Sequence, residues 1–163
     1  AITNEANQII SYAALRGSEV VVMKTDKVPL YPDELSAAAA WLRAIQPVGP
    51  KLNLVSFAPD ELSLQLRIVY DPMIPLSSVQ VAVLQAITDY TDSLDFGGLF
   101  RFVSLVDVLQ QVEGIIDVIP DQLQAKPEYA STFNSFARDY LPVSGVVQVT
   151  SSIDDLTFTA DEL

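Results

Sequence analysis

The chain contains no cysteine and no histidine. Without cysteine it forms no disulfide, no thiolate nucleophile and no thiolate metal site. Without histidine it lacks the commonest general base and the commonest zinc ligand, so neither Ser-His-Asp nor Cys-His machinery can be assembled. Cations are scarce too. Nine Lys and Arg stand against 21 Asp and Glu, for a net charge of −12 and a pI near 4.1. Binding to phosphate backbones or anionic lipid heads depends on clustered cations, so neither nucleic acid nor a membrane is expected as a partner. Long apolar runs are missing as well. The longest uncharged stretch, Pro72 to Thr88, is interrupted by proline, serine and glutamine, and a membrane span needs about 20 apolar residues. The first residues lack the basic start and apolar run of a signal peptide. The last four, Ala-Asp-Glu-Leu, read as a solvated acidic tail. The six glycines, at 17, 49, 97, 98, 114 and 145, match neither a phosphate-cradling loop nor a dinucleotide fingerprint.

What is present is a core-forming composition. Of 163 residues, 50% are hydrophobic and 18% charged, the reverse of a disordered chain. That length suits one domain over 1–163, and folding it buries roughly 70% of the unfolded surface.

The patterning predicts alternating elements. Ile2, Ala6, Ile9 and Ala13 share a helical stripe over Ile2 to Leu15, with Gly17 as its left-handed cap. Val20 to Met23 reads as a strand covered on both faces. Pro32 opens a helix with Asp33 and Glu34 in its positively polarised first turn. Leu35, Ala38, Leu42 and Ile45 form its buried stripe, Trp41 lies at the core edge, and Pro47-Val48-Gly49-Pro50 stops it. Lys51 to Ala58 and Leu62 to Tyr70 read as a hairpin turning at Pro59-Asp60-Glu61. In its second strand Leu62, Leu64, Leu66, Ile68 and Tyr70 share one face. Ser77 or Ser78 caps a long helix carrying Val79, Val83, Ala86, Ile87, Tyr90 and Leu94. Leu99 to Val103 reads as a strand, and Ser104 with Asp107 as a capping box for a helix of Leu105, Val108, Leu109 and Val112. Gly114 closes that helix, and Ile115 to Ile119 is a strand ended by Pro120. Asp121 to Pro127 reads as a loop, and strands follow at Gly145 to Thr150 and Leu156 to Thr159. The fold class expected is α+β, with helices packed on a mixed, largely antiparallel sheet containing a central hairpin at about 51–70.

Candidate chemistry is sparse. Asp89 and Asp92, at i and i+3, share a helix face and could hold magnesium or calcium, or serve only as a solvated face. Tyr129, Phe133, Phe136 and Tyr140 recur at intervals of four, three and four, an aromatic stripe on one helix face. It either packs on the sheet or anchors a partner. Arg101, between Phe100 and Phe102, faces solvent or pairs with an acid at a subunit contact. No catalytic, metal-binding or cofactor-binding residue is assigned.

From Ala44 to Val118 a longer order emerges. Pro47-Val48-Gly49 follows a helix and precedes the hairpin, a long helix opens on Ser78, and Gly97-Gly98 ends it. Ser104 starts a second helix, and Val112-Glu113-Gly114-Ile115-Ile116-Asp117-Val118 follows. This order resembles the carboxy-terminal region of the baseplate J-like family of tailed phages and contractile injection machines. Glu113 stands where the family often has proline, and 121–141 has no counterpart. The resemblance implies a baseplate J-like core at about 18–120, the unmatched 121–141, and closing strands at 145–159. It implies a non-enzymatic wedge protein in a virion or injection-machine baseplate, cytoplasmic during assembly. Other wedge and hub proteins would be its partners, and its glycines would be turn positions of positive φ. The alternatives are a stand-alone ligand- or protein-binding adaptor and a carboxylate-dependent hydrolase or cation-binding enzyme.

Overall fold

The structure, a computed structural model, describes residues 9–45, 49 and 51–161. The expected stop at Pro47, Val48 and Pro50, residues 2–8 of the expected first helix, and the end of the acidic tail lie outside them. The α+β class holds.

The chain first builds a small layer. β1 (Tyr12–Arg16) turns at Gly17, φ +59°, into the antiparallel β2 (Glu19–Met23). The first segment is thus a strand where a helix was expected. Its Tyr-Ala-Ala-Leu-Arg register pairs residue for residue with the valine-rich strand that buries Val21, Val22 and Met23. That pairing outweighs a weak helical stripe. α1 (Pro32–Ile45) crosses over to β3 (Asn53–Val55), which runs parallel to β2. α1 buries no residue completely. Leu35, Ala38 and Leu42 are half-buried, whereas Ile45 and Trp41, expected in or beside the core, are 55% and 57% exposed.

The larger sheet centres on β4 (Asp60–Tyr70). Its alternation is as read: Leu62, Leu64, Leu66 and Ile68 are at most 1% exposed. The expected hairpin at 51–70 is absent, because β3 belongs to the first layer. Ser56 explains the separation, its hydroxyl donating to the Val22 carbonyl at 2.6 Å and accepting from the Leu30 amide at 2.9 Å. These bonds keep the segment after β3 with β2 rather than letting it fold back on β4.

α2 (Leu76–Ser93) buries Val79, Val83, Ile87, Tyr90 and Thr91. Pro75, not a serine, is its N-cap, and no side chain caps it. The expected strand at 99–103 contracts to β5 (Phe100–Arg101), and α3 (Phe102–Leu109) starts two residues before Ser104 without a capping box. β6 (Ile115–Lys126) then runs antiparallel along β4. Pro120 does not end it. The register passes from Gln65–Gln122 to Leu66–Pro120, so the chain bulges at the proline, where a missing N–H is tolerated. Most of the expected 121–127 loop is therefore strand, with Leu123 and Ala125 buried.

β7 (Asn134–Ser135) adds to β6, and β8 (Asp139–Tyr140) pairs with β5. β9 (Val147–Val149) and β10 (Leu156–Ala160) lie parallel to β4 in succession, on the side not taken by β6. The sheet is mixed, and α2 and α3 cover the Leu62–Ile68 face in one apolar cluster that includes Phe100, Leu105 and Leu109.

Truncating Leu64 to alanine should lower unfolding free energy by about 2–5 kcal/mol, the cost of a core cavity. Gln65→Ala, on the exposed face of the same strand, should cost less than about 0.5 kcal/mol. Urea titrations of the two variants check the assignment of faces.

Candidate functional site

Asp60 opens β4 at 0% exposure, on the same parity as the buried leucines. Burying a carboxylate is costly unless hydrogen bonds replace its water. Three donors from one segment do so. Its Oδ2 accepts from the Tyr140 hydroxyl at 2.5 Å and the Val143 amide at 2.8 Å, and its Oδ1 from the Ser144 amide at 3.0 Å. The Asp60 amide meets the Val146 carbonyl at 3.0 Å and Ser144 Oγ at 3.1 Å, and the Ser144 hydroxyl donates to the Val146 carbonyl at 2.8 Å. Burial, then the hydrogen bond to Asp60, pushes the Tyr140 phenol well above its ordinary value, against a smaller pull from Arg16. From β1, Arg16 Nη1 donates to the Val143 carbonyl at 3.2 Å, while its Nη2 is buried without a partner.

Asp, Tyr, Ser and Arg within one network suggest catalysis, but Asp60 and Ser144 are both wholly buried, and their hydrogen bonds are used internally. What the arrangement does chemically is fix the 140–146 loop against β4 and β1. Gly145, φ +92°, lies under the Phe96 ring, which a Cβ there would meet at 2.7 Å. Its carbonyl accepts from the Gly97 amide at 2.8 Å, and Phe96 stacks on Tyr12 of β1 at 5.4 Å.

The expected aromatic helix does not form. Residues 127–140 run as turns and the short strands β7 and β8. The 4-3-4 spacing lost to individual anchoring of its rings. Phe136 packs between Phe100 and Tyr140, at 5.9 and 5.5 Å. Tyr129 is 68% exposed with its edge on Phe57, and Phe133 lies under the Lys126 ammonium. The four therefore divide: two join the sheet and two stay outside. Arg101 is exposed, stands opposite Asp139 in the β5–β8 register, and exchanges backbone hydrogen bonds with the Tyr90 hydroxyl.

The carboxylates separate as well. Asp89 accepts from Gln85 at 2.7 Å, and Asp92 pairs with Lys27 at 3.0 Å. Asp155 completes a capping box with Ser152. Lys24 and the Tyr31 amide hold the Glu34 carboxyl below its usual range. Among the described residues no three acids gather as a metal site. A cleft of about 270 Å³ is lined by Arg43, Lys51, Leu52 and Asn53.

Asp60, Ser144 and Arg16 were not singled out from sequence. A signal for Asp60 existed, since extending the Leu62–Ile68 alternation back two residues puts an acid on the core face. No protein-family profile matches the chain, and no curated protein shows significant similarity to it.

Replacing Asp60 with alanine leaves three donors unpaired and should cost about 2–5 kcal/mol, against about 1–2 for Tyr140→Phe. The phenol also links stability to alkali. The native state keeps a proton that an unfolded tyrosine releases near its ordinary value of 10. The contribution is thus complete below pH 10 and lost as pH rises above it. Denaturation series across that range should show a shallower decline for Tyr140→Phe than for the parent chain.

Proposed function

We propose that this chain is a non-enzymatic structural subunit of a phage-like tail baseplate, a wedge protein acting through protein–protein contacts. The observation that carries the reading is where polar and apolar groups have gone. The buried polar network closes on itself around Asp60, whereas large apolar side chains stay exposed on many elements, among them Leu15 of β1, Trp41 of α1, Val81 of α2, Val103 of α3 and Tyr129. Leu15, Tyr31, Trp41 and Ile45 belong to the first layer, at 55–67% exposure. Met73 is 87% exposed and Ile116 48%, on segments whose neighbouring backbones are joined by the hydrogen bond from the Asp71 amide to the Gly114 carbonyl. A docking surface would draw its anchors from exposed apolar side chains of this kind. Side chains of this kind on several elements suit a part that touches more than one neighbour, as a place in a ring assembly requires.

The assembly is suggested by the motif order from Ala44 to Val118, although the hairpin in that order is replaced by β3 and β4 in separate sheets and neither Ser78 nor Ser104 caps its helix. Of the glycines in that order, Gly97 and Gly114 have the positive φ expected of them, +76° and +87°, whereas Gly49 and Gly98 do not. Wedge and hub proteins are then the partners, and the baseplate, reached from the cytoplasm, the location. No cofactor enters this reading. The second reading is a stand-alone adaptor for a ligand or a single partner.

Affinity capture of the tagged chain from its source cells, with and without prophage induction, tests both. Sheath, tube or wedge proteins are expected in the induced eluate. Met73→Asp and Ile116→Asp should each reduce that recovery at least about tenfold with an unchanged melting temperature, as loss of an apolar anchor does. A retained small molecule or one unrelated partner would replace the baseplate reading with the adaptor.

A further inference from the structure

α1 is apolar nearly all the way round. Leu35, Ala38, Ala39 and Leu42 turn toward the first layer and are half-buried, while Ala37, Ala40, Trp41, Ala44 and Ile45 form a second stripe that is exposed. A helix apolar on every side is ordinarily covered on every side. Among the described residues, this one has cover on one face only. The three alanines leave the outer stripe shallow, so another helix could approach closely, and Trp41 is the kind of residue that anchors such contacts.

The charges around the stripe say what fits. Its amino end carries Asp33 on the outer face, and its carboxyl end carries Arg43 beside Lys51 of the cleft. None of these three makes an ion pair among the described residues, where the paired groups are Lys24–Glu34, Lys27–Asp92, Arg67–Asp121 and Lys126–Glu61. A helix acidic at one end and basic at the other is complementary to itself when laid antiparallel. Over 14 residues, about 21 Å, a two-fold axis between Ala38 and Ala39 sets Trp41 of each copy beside Ala37 of the other. The same axis brings each Asp33 to the other's basic end.

We infer that the outer face of α1 is the contact surface for a second copy of this chain, packed antiparallel about a two-fold axis. The inference does not depend on the assembly being a baseplate. The −12 charge of each chain opposes association, but its long-range part is screened within about 8 Å at physiological salt. The local face is balanced in sign. One helix pair buries less than the roughly 1,600 Å² of a standard interface, so the expected dissociation constant is micromolar.

Sedimentation equilibrium of the full chain up to about 500 µM, at physiological salt, is the test, that range bracketing a micromolar constant. A monomer–dimer equilibrium is expected. Trp41→Ala should weaken it at least about tenfold, as loss of a central tryptophan does. Circular dichroism should show an unchanged fold, since the side chain is exposed. Asp33→Lys and Arg43→Asp should each weaken the dimer, and the two together should restore it, a rescue that nonspecific stickiness would not show. A monomer at every concentration overturns the inference. So does a dimer or larger ring indifferent to Trp41, or a Trp41-dependent complex with a different protein only. Each of these outcomes leaves the baseplate reading to be judged by its own capture experiment.

Discussion

Asp60 carries a carboxylate to a place that water does not reach, and the organisation of the chain follows from how that group is satisfied. Its three donors all come from Tyr140 to Ser144, some eighty residues downstream, so closing the site means closing a long loop. Once closed, the 140–146 segment delivers β9 to one side of β4 and β8 to β5. Arg16 reaches the same segment from β1, tying the small layer to the large sheet. A buried charge held by hydrogen bonds alone adds little net stability. Its consequence is specificity, because any other register of the loop would strand a carboxylate and three donors.

The neighbouring glycines make the same point sterically. The loops carrying Gly97 and Gly145 meet through one backbone hydrogen bond, with Phe96 lying against Gly145 and Ala14 of β1 closest to Gly97. Side chains at these positions would push the layers apart. The approach of β1, the 95–98 turn and the 140–146 loop is therefore one packing event, in which a polar knot and a close backbone contact act together.

How much of this was legible in the sequence depends on the range of the interaction concerned. The alternation from Leu62 to Ile68 and the stripe Val79, Val83, Ile87 and Tyr90 are short-range patterns, and each appears in the fold as read. Strand partners are long-range, and nothing local in Lys51 to Tyr70 reveals that Ser56 is tied back to β2. Pro120 reads as a terminator because its local effect is to remove a donor, whereas the sheet absorbs that loss in a bulge. The aromatics from Tyr129 to Tyr140 fit a helix by spacing alone. Their positions were fixed instead by Phe100, Phe57 and Asp60, which lie far away in sequence. The expected helix for this set is thus absent, its place taken by turns and the short strands β7 and β8. The buried knot went unseen because Asp60, flanked by Pro59 and Glu61, resembles an ordinary turn.

The exposed face of α1 is not a packing defect left by a poor sequence. Four consecutive alanines, Ala37 to Ala40, give this helix high intrinsic propensity, so it stands without large side chains buried on both sides. A selected surface helix would place Glu, Lys or Gln outside, and these are as compatible with helix as alanine. Here the outer positions hold alanine, isoleucine and the chain's one tryptophan, in a protein that carries 21 acids elsewhere and is not short of polar residues. The acids keep the molecule in solution and set its general repulsion, and the bare helix concentrates attraction where repulsion is locally absent. That division of the surface, more than any reactive group, is what this fold has to work with.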